Sequence, residues 1–262
     1  MSTTVPEPTE ADQTPSYETA RQTHPQVVLT HDARRLYWTL GGPLTSAISV
    51  MGDKWYDPDV PLEPYCVQAE PLLSWHSIAQ SALTEPKISS ITVSVEQLND
   101  WEEKWWELRR DNDDLVPVGT DFGEDEDFDE DFDEEDDGPQ SGLQSCYKDV
   151  PRDNRATLVV RATGAFITVH DYVSVVHPWL MNLREKILQA SGDLLDNIPL
   201  PPDTRLMVQA FPSPDCVTTV EEEEWKRSLS KKEHEKAVQR LEAYKKKKAL
   251  EDHEAHMQDQ GW

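Results

Sequence analysis

His170-Asp171, with His177 six residues beyond the aspartate, is the set of side chains in this sequence best suited to chemistry. A His-Asp dyad holds a divalent metal in hydrolases that complete the coordination with further His and Asp ligands on a helical scaffold. On that pattern, one reading of the chain is a metal-dependent hydrolase centred on His170 and Asp171. The same aspartate has a simpler use. It lies three residues after Thr168, where an apolar periodic segment begins, and a carboxylate there accepts from the free amides of a helix N-terminus and favours its dipole. Capping is the better reading of Asp171. His31-Asp32 is a second such pair, with no further ligands in its pattern. His177-Pro178-Trp179 reads as a kink packed into a core. Calcium chemistry needs a stricter pattern, with glycine at position 6 of the loop and a bidentate glutamate at position 12. A loop started at Asp133 puts Gly138 at position 6 but Gln144 at position 12. GxxxxGK[ST], GxSxG and HExxH are all missing. Cys66, Cys146 and Cys216 are odd in number and lack a CxxC, which gives neither a disulfide framework nor a cysteine zinc site. No catalytic, cofactor-binding or metal residue is therefore assigned and no cofactor is expected. An enzyme reading survives only as a spatial constellation that needs no local motif.

The elements that would position these residues follow from hydrophobic period. Residues 1–26 are rich in Thr, Pro, Glu and Gln, lack apolar periodicity and read as a disordered tail. Asp32 to Leu40 reads as a short helix or strand ended by Gly41-Gly42-Pro43. Residues 43–87 are loop-heavy, with six prolines and with Trp55, Tyr56, Tyr65 and Trp75, a loop layer packed on a core. Residues 88–95 alternate at Ile91, Val93 and Val95 and read as a strand. Ser94 and Gln97 have capping-box spacing for a helix over about 95–110, whose Leu98, Trp101, Trp105 and Leu108 form a stripe; Trp106 sits beside it. Strands are expected at 156–162 and 205–210. A helix is expected at 169–190, kinked or divided by Pro178. Residues 221–256 read as one long polar helix with supporting pairs Glu222–Lys226, Glu223–Arg227 and Glu242–Lys246. Trp225, Leu229, Val238 and Leu241 give it a thin apolar stripe without a sustained heptad.

Charge is the most unusual property of the 262 residues. Asp and Glu number 51 against 25 Lys and Arg, a formal net charge of −26. Such a chain repels nucleic acid and anionic membranes as a whole, so neither is expected as a partner. No apolar run approaches the roughly 20 residues that span a bilayer, and the N-terminus has no secretory signal pattern. An intracellular protein of nucleus or cytoplasm is expected. Sixteen acids fall within Asp111–Asp137, a 27-residue stretch without Lys or Arg. Charge at that density reads as a disordered insert over 111–150. Phe122, Phe128 and Phe132 interrupt it, the composition of segments that steer toward basic surfaces and then insert a ring. Lys245, Lys246, Lys247 and Lys248 form the opposite cluster. With Lys231-Lys232 twelve residues upstream, they match the spacing of a bipartite nuclear-import signal.

Two blocks resemble a known type. Leu83-Thr84-Glu85-Pro86 leading into ISSITV, and ATLVVRATGAFITVHDYVSVVHPWL, together resemble a fungal family of uncharacterised strand–helix domains. The resemblance implies an α+β module and carries over no catalytic residue.

The expected architecture is α+β: a single domain over 27–220, a small sheet packed with two or three helices, interrupted by the acidic insert and followed by a charged C-terminal helix over 221–262. The expected function is a non-enzymatic protein-interaction module. Its partner-binding residues are Phe122, Phe128, Phe132 and Lys245 to Lys248, and its partner is a protein, basic where the acidic–aromatic segment makes the contact. A helical adaptor acting through the C-terminal helix is the third reading. The oligomeric state is not legible.

Overall fold

The computed structural model describes residues 14–69, 72–110, 155–193, 198–209 and 213–259. The acidic insert, with Phe122, Phe128 and Phe132, lies outside the described residues. The fold is α+β, with small sheets packed with helices and a long C-terminal helix. Strands in chain order are β1 (Val28–Leu29), β2 (Leu36–Trp38), β3 (Ile48–Val50), β4 (Glu63–Pro64), β5 (Cys66–Ala69), β6 (Leu72–Trp75), β7 (Thr84–Glu85), β8 (Ser90–Val95), β9 (Thr157–Arg161), β10 (Leu206–Gln209) and β11 (Cys216–Glu221). Helices are α1 (Tyr17–Thr23), α2 (Leu44–Ala47), α3 (Glu96–Asn99), α4 (Trp101–Arg110), α5 (Val169–Asp193), α6 (Glu222–Ser228) and α7 (Lys231–Asp259). Two compact units divide them. Met1–Ser94, Thr157–Arg184 and Asp203–Trp262 form the first, and Val95–Ala156 with Glu185–Pro202 the second.

The first unit is built on the four-stranded sheet β10-β11-β8-β9. β8 follows its alternation: Ile91 and Val93 are buried while Thr92 faces out. Its partner β9 is antiparallel, with Ile91 opposite Val160. β11 was not read from the sequence, yet it lies between β10 and β8. Its signal was present, since Val217 and Thr219 alternate inward in a β-branched run. β2, β3 and β4 form a second sheet, and β5 and β6 a hairpin, so short strands interrupt the otherwise loop-heavy proline-rich stretch. Thr39 bridges Met207, and Leu40 N donates to Leu206 O at 2.7 Å, which joins β2 to β10.

Val169, Tyr172, Val173, Val176 and Leu180 of α5 are buried at helical spacing. Pro178 does not divide α5; its side chain is exposed, and the helix runs through it. The Tyr172 hydroxyl donates to Pro214 O at 2.8 Å. α1 corrects the expected tail. Ser16 caps it by accepting from Thr19 N, and Tyr17 and Ala20 are buried. Tyr17 also donates to Asp215 at 2.9 Å. One buried face three residues apart was too short a signal in a Thr- and Glu-rich window.

In the second unit, the expected helix over 95–110 is two elements, α3 and α4, meeting at Asp100. Val95 stands at the N-cap of α3 without a side-chain bond. Ser94 is not the cap; it stays in the strand, where its amide donates to Asp215 O at 2.8 Å. Leu98, Trp101 and Trp105 of the expected stripe are buried. Trp101 Nε1 donates to Asp193 Oδ2 at 3.1 Å. A Cβ at Gly192 would lie 2.0 Å from Ile198 O, so the chain after α5 passes where only glycine fits.

The C-terminal segment is also two helices. α6 carries Trp225 into a buried cluster with Tyr37, Met51 and Met207. The Trp225 ring meets Tyr37 edge-on at 5.1 Å and Tyr56 at 5.8 Å. Of the expected ion pairs, Glu222–Lys226 forms at 3.0 Å. Glu223 pairs with Lys226 at 3.1 Å, while Arg227 bonds the Glu223 carbonyl. Trp225→Ala is expected to cost about 3–5 kcal/mol, the usual range for removing a buried large aromatic. Urea unfolding of the two proteins by near-ultraviolet circular dichroism measures it; a cost under 1 kcal/mol would mean that α6 is not held by this ring.

Candidate interaction surface

The three side chains with most chemical promise point to three different places. Asp171 Oδ2 accepts from Thr168 N at 2.9 Å and Thr168 Oγ1 at 2.8 Å, and Asp171 N donates back to Thr168 Oγ1 at 3.0 Å. Its other oxygen accepts from Thr163 Oγ1 at 2.7 Å. This is a closed capping box in which both carboxylate oxygens are used. These bonds outweigh the opposing effect of burial and hold its pKa below the ordinary aspartate value. His170, half-buried, places Nδ1 3.3 Å from the Tyr65 hydroxyl, with its ring 4.4 Å from Trp75.

His177 is 2 % exposed. Trp38 Nε1 donates to its Nδ1 at 3.0 Å, so the neutral ring carries its proton on Nε2, which lies 3.0 Å from Gly42 O and donates to it. Gly42 has φ +72°, the left-handed conformation that glycine adopts without strain, and so presents its carbonyl to the ring. Burial pushes the His177 pKa below its usual value. The second pair diverges too: His31 Nε2 lies 3.0 Å from Asp53, while Asp32 takes Ser81 Oγ at 2.6 Å. Among the described residues no group of three or more His, Cys, Asp or Glu is placed to hold a metal. Cys66 is a buried free thiol.

The C-terminal segment, by contrast, builds a surface. Ser230 starts α7, its hydroxyl accepting from Glu233 N at 3.4 Å. Tyr56 N donates to Leu229 O at 2.8 Å and Lys231 N to Tyr56 O at 3.0 Å, which fastens the helix start to loop 51–62. The Trp55 ring stacks on His234 at 3.9 Å and 19°. From Glu235 to Leu241 every side chain is exposed. Val238, Leu241 and Tyr244 stand 39, 52 and 61 % in solvent. Lys245, Lys246 and Lys248 are exposed on the same helix, and the Lys247 side chain lies outside the described residues. Residues 231–248 carry eight Lys or Arg against three Glu, a net +5 in a chain of −26.

No helix among the described residues is long and apolar enough to cross a membrane. No family model, curated protein or solved structure matches the chain.

His177 gives a pH test. Its depressed pKa contributes stability that is complete above about pH 6.5, the ordinary histidine value, and lost as pH falls below it. His177→Leu is expected to be less stable by about 1–3 kcal/mol at pH 7.5, where Trp38 Nε1 loses its acceptor. The gap to the unsubstituted chain narrows toward pH 5.5. Urea midpoints at the two pH values decide it, and a gap that widens on acidification contradicts the neutral-ring assignment.

Proposed function

We propose that the chain is a non-enzymatic protein-interaction module with two contact elements of opposite charge. The observation that carries this reading is α7, a 29-residue helix anchored at its start and exposed along its described middle. Apolar side chains held in solvent on a lysine-rich helix fit the helix-in-groove mode of recognition, in which an amphipathic helix lays its anchors into a partner. Charge complementarity sets the partner: an acidic groove with an apolar floor, which takes Val238, Leu241 and Tyr244 while its rim pairs with Lys245, Lys246 and Lys248. The second element is the acidic–aromatic segment with Phe122, Phe128 and Phe132, which steers toward basic proteins on the grounds of its composition. The engagement of Asp171 within its capping box favours this reading over a hydrolase centred on His170 and Asp171.

Two probes test it on the full chain. A Glu/Leu-rich peptide is expected to bind at low salt, at least tenfold more weakly when Lys245, Lys246 and Lys248 are replaced by Ala or Leu241 and Tyr244 by Asp. Polylysine is expected to bind more weakly when 121–137 is deleted. Both effects fade with salt, since exposed charges are screened over about 8–10 Å at 0.1–0.15 M. Helicity by circular dichroism checks that the variants keep α7. Unchanged affinities would overturn the reading, and a stoichiometric tight metal that is lost in His170→Ala would favour the hydrolase instead.

We further propose an intracellular location with nuclear import directed by Lys231-Lys232 and Lys245–Lys248, supported by the exposure of Lys232, Lys245, Lys246 and Lys248. Replacing Lys245–Lys248 by Ala in a fluorescently tagged chain is expected to shift it toward the cytoplasm. An unchanged distribution removes the import role.

A further inference from the structure

Loop 51–62 and the first residue of α7 enclose a groove of about 280 Å³, lined by Met51, Asp53, Trp55, Tyr56, Asp57, Val60, Leu62 and Lys231 among others. It shares only Lys231 with the contact elements proposed above and includes none of their anchor residues. Its walls combine three chemistries. Trp55 and Tyr56 supply half-buried aromatic rings, Met51, Val60 and Leu62 an aliphatic side, and Asp53 and Asp57 two carboxylates.

The walls are held in place by bonds independent of any ligand. Tyr56 is tied through both its amide and its carbonyl to the segment around Ser230, and its ring packs on Tyr37 and Trp225. Trp55 is stacked on His234. Asp53 Oδ1 accepts from Lys54 N at 2.7 Å and lies 3.0 Å from His31 Nε2, which fixes the carboxylate without using Oδ2. Asp57 Oδ1 accepts from Asp59 N at 3.1 Å, which turns its Oδ2 toward Lys231. Gly52 keeps the loop close: a Cβ there would come within 3.1 Å of the Val60 side chain.

An aromatic face beside carboxylates and an aliphatic wall is the arrangement that recognises an organic cation with an apolar stem. The ring quadrupole and the carboxylates attract the charge, and the wall covers the methylenes. The protein's own ammonium groups mark both contacts. Lys54 Nζ lies 5.6 Å from the Trp55 ring centroid, and Lys231 Nζ lies 3.7 Å from Asp57 Oδ2. The Lys231 distance is long for an ion pair and its side chain is 45 % exposed, so an incoming cation displaces it at little cost. A volume near 280 Å³ accepts one long side chain and not a folded domain.

We propose that this groove binds the side chain of a lysine or arginine presented by a basic segment of a partner protein, with Asp53 and Asp57 pairing the charge and Trp55 and Tyr56 covering the stem.

The test follows the Trp55 indole by nitrogen-15 NMR, its resonance identified with Trp55→Phe, in the full chain and in the 121–137 deletion so that the acidic segment does not enter. Capped Gly/Ser peptides with one central Lys, trimethyl-Lys, Arg or Leu are titrated. A saturable shift is expected for the three cations and not for Leu. It weakens at least tenfold in Asp53→Asn with Asp57→Asn and strengthens several-fold in Lys231→Ala, where the internal competitor is gone. The paired Asn variant keeps both side-chain shapes, and an unchanged urea midpoint shows that it folds. A Leu peptide that binds as well as Lys, a cationic peptide bound equally by the Asn variant, or no shift at millimolar peptide overturns the proposal. Failure of the α7 experiments leaves this result unaffected, because none of their substitutions touches the groove.

Discussion

The burial of Trp225 is the interaction on which the C-terminal half of the first unit depends. Its side chain is 1 % exposed and joins Tyr37, Met51 and Met207, which come from β2, the end of β3 and β10. One indole thus ties a helix to two sheets. The polar groups around it follow: the Tyr37 hydroxyl donates to Glu222, which also pairs with Lys226 and with Arg205 at 2.9 Å. Burial, aided by the Glu222 carboxylate, pushes the Tyr37 hydroxyl up to about 12, so it remains a donor throughout the working range of the protein. A tryptophan of this size is worth about 3–5 kcal/mol against a whole-domain stability of about 5–15 kcal/mol.

That anchor explains why α7 needs no core of its own. Isolated helices of polar composition are marginal in water because nucleation is unfavourable. Here α6 ends against the body, Ser230 caps the next element, and Tyr56 brackets the junction with two backbone hydrogen bonds. The cost of starting the helix is met at its packed end. Propagation from there rests on the helix-favouring Lys, Glu and Ala content and on pairs such as Lys236–Glu233 at 2.7 Å.

Much of this was legible in the sequence, for reasons that can be named. β8, β9, β10 and α5 have enough alternating or 3.6-period residues to fix their type. The Thr168–Asp171 box was legible because capping needs only two residue types at one spacing. What was missed is short or depends on distant partners. α1 buries just Tyr17 and Ala20. β11 lies between two prolines and an acidic run that pulled the reading toward loop and helix. The split at Leu229 and Ser230 is set by Tyr56, 174 residues upstream of Ser230. Trp225 looked like part of a thin stripe because its neighbours Glu222, Glu223 and Glu224 are charged, and a lone large aromatic in a polar helix does not announce how deep it goes. The groove beside Trp55 was invisible for the same reason, since Asp53, Trp55 and Asp57 acquire meaning only when Lys231 and His234 arrive beside them.

The distribution of charge gives the last step. Uniform repulsion across −26 would oppose compaction everywhere. The first unit instead pairs several of its acids locally: Asp32 with Arg35, Asp215 with Arg21, and Glu222 with Lys226 and Arg205. Most of these pairs are at the surface, where each contributes about 0–1 kcal/mol, so they offset repulsion more than they add stability. The densest acid run is confined to a segment where packing is not required by any apolar pattern. The lysines of α7 are kept apart from it in sequence, and residues 231–248 carry a net +5. A chain that concentrates its opposite charges in separate segments, 111–137 and 231–248, keeps both available for other surfaces.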